Sequence, residues 1–393
     1  MKKIKLFQPY VTSAARKLVE RVLSGTQLAQ GPMVDMFEEN FANEFGFEPW
    51  QIVSLNSGTA ALELAYDLCN IKGGPGYQPE VITPILTCTA TNIPLIHRNA
   101  HIVFADVEMN NHLNIDPDDV EYKISEDTQA IVFVHFGGSS AGLKEIEDLA
   151  DRNDIDLICD AAQALGSKLS TKARFNCISL QAIKSLTAGD GGVLICRDRK
   201  DAEKARKLRW FGYDRPLKQK LGDIDLDIAG FKLHMNDISA AIALGNLYDW
   251  KLIKYQREAI NAVYAKYGAG KGYIEGIWCP QVVGIPYKPM KELLAKKGIE
   301  IGQYHYRNDK YTIFNRAENS CPNMTTIEDR YFMLPCHMGM TVEDAERIAK
   351  LIWPNSRPGI SGKLYAIPIE DYGTMPVTDK EAREKVANMF NKK

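Results

Sequence analysis

The chain has 393 residues, 45% hydrophobic and 25% charged, with a formal net charge of −2. That composition describes a globular protein of about two or three domains, and the scatter of its Lys and Arg residues, with no basic stripe, argues against a nucleic-acid surface. The segment MKKIKLFQPYV has no apolar core of signal-peptide length, and no run approaches the ~20 apolar residues of a membrane span, so no membrane association is expected and the expected location is the cytoplasm.

Residues 13–45 are predicted helical, with a break near SGTQLAQGP. Short apolar strands then alternate with helical patterns. IVSL (52–55) precedes a helix starting near Thr59, and EVITP (80–84) precedes another. HIVFADV (101–107), QAIVFVHF (129–136), DLICD (156–160), CISL (177–180) and GGVLICR (191–197) follow. Strands that are apolar on both faces and separated by helices imply a mostly parallel sheet buried between helical layers. The last two lie too close for a crossover helix and are expected to pair antiparallel. Residues 199–265 are helix-rich, with SAAIALGNLYDWKLIKYQREAINAVYAKY as the longest helical stretch. From about 266 to 353 the pattern becomes a smaller α+β unit ending in the helix TVEDAERIAKLIW, and a Pro- and Gly-rich tail begins at Pro354. The expected organisation is a large domain over 1–250 with an N-terminal helical segment, a small domain over 251–353, and an extension over 354–393.

The eight cysteines form no CxxC pair, and several sit in apolar runs, such as Cys159 in LICD and Cys196 in VLICRD. They read as buried free thiols. The seven histidines show no HExxH or similar spacing, so no metal is expected.

In a buried parallel sheet, ligands gather at the carboxyl ends of the strands. Three features fall there. NSGTAAL (56–62) runs from a strand through Ser-Gly-Thr into a helix, whose free N–H groups and dipole suit a phosphate, although such a turn is also an ordinary N-cap. ICDAAQALG (158–166) places Asp160 at a strand end, where a buried carboxylate needs a cation or several donors; capping a following helix is the alternative. QAIKSLTAGDGG (181–192) places Lys184 past another strand, where partial burial lowers its pKa and makes it a usable nucleophile or base, unless it snorkels to solvent. Together the three suit one ligand, pyridoxal phosphate. It has a phosphate, an aldehyde for a lysine Schiff base and a ring nitrogen for a carboxylate. Gln163, three residues after Asp160, could donate to the ring hydroxyl.

The chain resembles the DegT/StrS family of sugar aminotransferases. From about Leu6 to Tyr255 the matching motifs include SGTQLAQGPMVDMFEENFANEFG, NSGTAALELA, EVITPILTCTAT, FADVEMNNHLNIDPDDVE, CDAAQALGS and SLQAIKSLTAGDGGVL. The likeness resumes at KKGIEIGQYHY and DRYFMLPCHMGMTVEDAERI. It implies the three-layer α/β architecture of pyridoxal-phosphate transferases of fold type I, with a smaller C-terminal α+β domain, assembled as a homodimer. It further implies that Lys184 forms the Schiff base and shuttles protons, Asp160 binds the ring nitrogen and Gln163 the ring hydroxyl, and Ser57, Gly58, Thr59 and Ser179 hold the phosphate. The implied reaction moves an amino group, from glutamate, to a keto group of a nucleotide-linked deoxysugar, with pyridoxamine phosphate as intermediate. Family members with histidine in place of this lysine are sugar dehydratases, so Lys184 argues for amino transfer. Dehydration and a binding role without turnover are the alternatives. This chain departs from the family in three places. Cys88 stands where an aromatic residue usually stacks on the cofactor ring. Lys232, in GFKLHMND, stands where an Asn reaches the phosphate of the partner subunit. Residues 266–300 form a shorter segment than the family's usual small domain.

Overall fold

The computed structural model describes residues 2–109, 112–314 and 321–356. The expected extension lies outside the described residues from 357 onward. Eight strands come first: β1 Ile52–Leu55, β2 Glu80–Pro84, β3 Leu86–Thr87, β4 His101–Ala105, β5 Thr128–Val134, β6 Asp156–Asp160, β7 Phe175–Ser179 and β8 Gly192–Cys196. Seven of them form one sheet in the order β1-β8-β7-β6-β5-β2-β4. β8 runs antiparallel to both β1 and β7, and the other neighbours are parallel. The link between β7 and β8 is too short for a crossover, which dictates that exception.

Alternation along the strands sorts side chains onto two faces. Ile131, Phe133, Leu157 and Cys159 pack on one face against Ile146, Leu149 and Ala150 of the helix Leu143–Asn153. Val132, Ile158, Cys177 and Leu194 pack on the other against Ala61, Leu64, Ala65 and Leu68 of the helix Gly58–Leu68. The period of two therefore puts Asp160 on the face of Ile158 and Ser179 on that of Cys177. Both point toward the layer that holds Gly58–Leu68.

Four further strands, β9 Tyr273–Ile274, β10 Gln281–Val283, β11 Tyr306–Arg307 and β12 Tyr331–Met333, build the remaining sheets. β12-β10-β9 is a three-stranded sheet, covered by Ile260 and Tyr264 of the helix Trp250–Gly268 and Ile348 and Ile352 of the helix Val342–Ile352. β11 pairs antiparallel with β3 and so draws residues around 305 to the segment that carries Cys88. No helix among the described residues is long and apolar enough to cross a membrane.

Two local expectations change. The long helical stretch is two helices, Asp237–Leu247 and Trp250–Gly268. Asn246 closes the first by accepting from the Thr12 N–H at 2.9 Å and donating to the Thr187 carbonyl at 2.8 Å, and Asp249 between them accepts from the Tyr10 hydroxyl. The strand expected at 177–180 begins at Phe175, because Phe175 and Asn176 pair with Ile158 and Cys159 of β6.

β1 is anchored by a buried cluster. Glu38 Oε1 accepts from the Ser54 N–H at 2.8 Å, from the Ser54 hydroxyl at 2.7 Å and from Arg209 Nη1 at 2.6 Å. The turn after β1 touches the neighbouring strands so closely that only glycine fits. A Cβ on Gly192 would lie 2.2 Å from the Ser57 carbonyl oxygen, and one on Gly58 2.8 Å from Ser179 Cβ. Gly192→Ala should therefore lower stability by about 1–3 kcal/mol, since backbone atoms must shift to admit the methyl. Urea unfolding measures it, and an unchanged midpoint would mean that this approach is not tight.

Candidate active site

Ser57, Gly58, Thr59, Cys88, Asp160, Gln163, Ser179 and Lys184 all line one cavity of about 300 Å³ at the carboxyl ends of β1, β6 and β7. At one end, Ser57 caps the helix Gly58–Leu68, its hydroxyl oxygen accepting from the Ala60 N–H at 3.0 Å. The N–H groups of Gly58 and Thr59 open that helix and have no intrahelical acceptor. With the positive end of the helix dipole and the Ser179 hydroxyl, they make a cradle for an anion.

Asp160 is 5% exposed. The Thr91 hydroxyl donates to its Oδ2 at 2.7 Å and the Ala162 N–H to its Oδ1 at 3.1 Å. Because Thr91 spends its proton there, the 2.8 Å contact between the Thr87 and Thr91 hydroxyls has Thr87 as donor. Among the described residues no ion pair reaches Asp160. Burial accordingly pushes its carboxyl above the usual value, against the downward pull of Thr91, Ala162 and the charge of Lys184. A buried carboxylate served only by neutral donors and facing a cavity fits a protonated ring nitrogen. Residues 161–167 form turns rather than a helix, so Asp160 is not a helix cap.

Gln163 has a fixed orientation. Its Oε1 accepts from the Gly137 N–H at 2.7 Å, so its Nε2, 3.0 Å from His305 Nε2, is the donor there. His305 thus accepts on Nε2 and carries its proton on Nδ1. Burial, with Lys184 nearby, pushes this imidazole down to about 3, so it is neutral in ordinary buffers. One N–H of the Gln163 amide is left for the cavity.

Lys184 follows β7 in a turn and is half-buried. Burial pushes its amine down to about 8, against the opposing pull of Asp160, Cys88 and Cys279. At that value amine and ammonium coexist near neutral pH, which suits a group that both takes and returns a proton. Cys88 sits at the N-cap of the helix Thr89–His97 with its thiol pushed up by burial.

Lys232 is the one expected site residue outside the cavity of its own chain. It is exposed, bridges Trp210 through its backbone, and holds its ammonium 5.0 Å from the centroid of the Phe211 ring. Its segment runs beside the end of β1, where Leu55 bridges His234.

Sequence reasoning missed Thr91, Trp278, Tyr304 and His305. Tyr304 and His305 line the cavity, Thr91 orients Asp160, and Trp278 lies under Lys184. Tyr304 and His305 fall within the KKGIEIGQYHY motif, which could have flagged them. Thr91 closes the EVITPILTCTAT motif, which could have flagged it in the same way, whereas Trp278 carries no local signal.

Thr91→Val removes the donor to Oδ2 and so raises the Asp160 carboxyl further. A carboxyl whose folded-state value lies above its unfolded one costs stability as pH rises through that interval, because the unfolded chain ionises first. In cofactor-free protein the deficit of Thr91→Val should be small at low pH and reach about 1–3 kcal/mol at neutral pH. Urea unfolding across pH measures it; a deficit independent of pH would assign Thr91 to packing alone.

A model of the DegT/DnrJ/EryC1/StrS aminotransferase family matches residues 9–352. A Helicobacter pylori protein named UDP-4-amino-4,6-dideoxy-N-acetyl-beta-L-altrosamine transaminase is 27% identical over 373 residues, covering 89% of this chain and 96% of that protein. UDP-4-amino-4-deoxy-L-arabinose–oxoglutarate aminotransferase from Shewanella sediminis is 29% identical over 381 residues, covering 88% and 96%. Among solved structures, the sugar aminotransferase CalS13 from Micromonospora echinospora matches with a TM-score of 0.82 at 29% identity, covering 90% of this chain and 100% of that one. With this fold and this cavity, the chain belongs to the DegT/DnrJ/EryC1/StrS family and is an aminotransferase of the pyridoxal-phosphate-dependent class.

Proposed function

We propose that the cavity binds pyridoxal phosphate and that the protein, a cytoplasmic homodimer, transfers an amino group from glutamate to a keto group of a nucleotide-linked deoxysugar. The observation that carries this reading is the convergence on one cavity of a lysine with a lowered pKa, a buried carboxylate without a cation, and a free helix N-terminus. The two curated relatives above are named for UDP-linked 4-amino sugars, and one name includes oxoglutarate, the keto acid left when glutamate gives up its amino group. A UDP-linked 4-keto-6-deoxyhexose is therefore the first acceptor to test. Residues 1–250 would supply the cofactor cradle, and residues 251–353 a smaller domain that contributes Tyr304 and His305 to its wall.

When bound, pyridoxal phosphate supplies a carbonyl carbon that takes up the donor's amino group and a ring that accepts the electron pair released at the donor's α-carbon. The chain's residues do the rest. The Ser57–Thr59 turn and Ser179 bind the phosphate. Asp160, oriented by Thr91, keeps a proton on the ring nitrogen. The free N–H of Gln163 donates to the ring hydroxyl, and Cys88 packs beside the ring as a polarisable group that needs no partner. Lys184 Nζ would hold the proton released at the donor's α-carbon and return it as the amino group is passed on. A second copy of the chain would bring Lys232 to the phosphate, where an ammonium serves a dianion as a point charge.

Loaded protein should be yellow, glutamate should bleach it, and the keto sugar nucleotide should restore the colour. Borohydride should fix the cofactor to Lys184. The rate of fixation to cofactor-free protein should climb with pH up to about 8 and level off above it, because only the neutral amine attacks. Fixation to another lysine, or a colour indifferent to glutamate, would refute this reading. Asp160→Asn should keep the cofactor but lose about 10²–10³ in kcat, the scale of one preorganised electrostatic partner.

Mixing Lys232→Ala with Lys184→Ala subunits should restore part of the activity, because one of the two sites in the heterodimer then has both lysines. Verified heterodimers without recovery would show that Lys232 does not act across the interface.

A further inference from the structure

Lys184 Nζ makes no ion pair and no hydrogen bond among the described residues. What it has is an aromatic face: Nζ lies 4.1 Å from the ring centroid of Trp278. The indole is itself immobilised. It is 1% exposed, its Nε1 donates to the carbonyl of Ile183 at 2.9 Å, and Phe7 stacks on it with centroids 5.1 Å apart and planes 16° apart. The hydrogen bond to Ile183, the residue just before the lysine, fixes the ring relative to the backbone that carries Nζ.

We propose that the Trp278 indole is the seat of the Lys184 ammonium, a positioning residue that holds the amine charged and inside the cavity whenever it is not covalently engaged. The reading rests on Lys184 being the reactive amine, and it adds what keeps that amine in place between its two proton transfers. The negative face of an indole attracts a cation and does nothing for a neutral amine, so it favours the protonated form. The other groups that face Lys184 are Asp160, whose carboxylate also favours its charge, the thiols of Cys88 and Cys279, which burial pushes up and so keeps uncharged, and His305, which opposes it only if protonated. His305 stacks on the same indole with centroids 6.3 Å apart, and burial keeps it neutral, so it does not repel the ammonium. Against all of these stands the loss of water around a buried charge. A flat, water-excluding surface that still stabilises the cation limits that cost without supplying an anion to trap the proton, as a carboxylate in direct contact would. The lysine can then release its proton to the reacting carbon.

The experiment reads the titration of Lys184 directly. Full-length cofactor-free protein is labelled at Lys184 with a trace of acetic anhydride across pH, and the labelled peptide is quantified. Biosynthetic replacement of tryptophan by mono- and then trifluorotryptophan drains the ring's negative face with little change of shape. The labelling midpoint should fall stepwise, by about one pH unit in all, the size of a partly buried cation–π contact. In Trp278→Phe protein, labelled with the same fluorinated tryptophans, the midpoint should not respond, which assigns the effect to position 278 among the five tryptophans. A midpoint unmoved by fluorination in the wild-type sequence overturns the proposal, and that arm stands even if the Phe variant fails to fold. A downward shift that persists in Trp278→Phe overturns it too, by placing the effect at another ring. Borohydride fixation of pyridoxal phosphate, run in parallel, separates the two readings. Fixation at Lys184 with a midpoint insensitive to fluorination removes Trp278 and leaves the proposed function, whereas fixation elsewhere removes the function itself.

Discussion

A carboxylate buried at a strand end with no ion-pair partner among the described residues is the constraint around which this molecule is arranged. Asp160 is held by a threonine hydroxyl and a backbone N–H, neither of which carries charge. Neutral donors orient a carboxylate without neutralising it, and burial then drives its pKa up. The charge of Lys184 favours the anion, and a cation arriving from the cavity side would favour it further. A protonated ring nitrogen is such a cation. On the proposed reading, binding the cofactor relieves a cost that folding incurs.

The sheet supplies the geometry that makes this possible. Parallel strands end together, and the alternation of side chains puts Asp160 and Ser179 on the face that holds Gly58–Leu68. The helix N-terminus, the carboxylate and the lysine thus come from three separate strand ends and need no long loop to meet. The antiparallel β8 brings its own end to the same place, and its glycine lets the Ser57 turn settle against it. Charge placement follows the same economy. His305 is kept neutral by burial, Gln163 is oriented by a backbone N–H, and Lys184 is left poised between two protonation states.

Much of this was legible in the sequence because it is local. Strands β1, β2 and β6 were read at their observed limits, since a fully buried strand is a short apolar run bounded by turn residues. Ser57–Thr59, Asp160 and Lys184 stood out because each breaks an apolar pattern at a strand end. Thr91 did not, because one hydroxyl in TCTATN looks like any other until the fold sets it 2.7 Å from a carboxylate. Trp278 and His305 arrive from far along the chain through the pairing of β11 with β3 and the packing around β10, and no spacing rule reports such an approach. The division of 237–268 into two helices was hidden for a similar reason. The helical pattern continues through Tyr248, while the first helix ends at Leu247, beside Asn246, whose side chain ties it to Thr12 and Thr187.

The position of β1 has a consequence in time. β1 joins the large sheet only through β8, with Ile52 opposite Ile195 and Leu55 opposite Gly192. β8 is the last strand of that sheet to be synthesised. The N-terminal third of the chain therefore carries an anion cradle whose first wall is made early and whose second must wait. During synthesis β1 can lean on Glu38 of the helix Pro32–Phe45 and on the helix Gly58–Leu68, while its pairing partner β8 and then Arg209 emerge later. Closing a pairing so distant in sequence carries a loop-closure entropy cost. A nascent chain halted before β8 would hold Asp160 already seated between its parallel neighbours and still lack a place for a phosphate. On the proposed reading, the cradle for the phosphate is complete only once β8 has paired with β1.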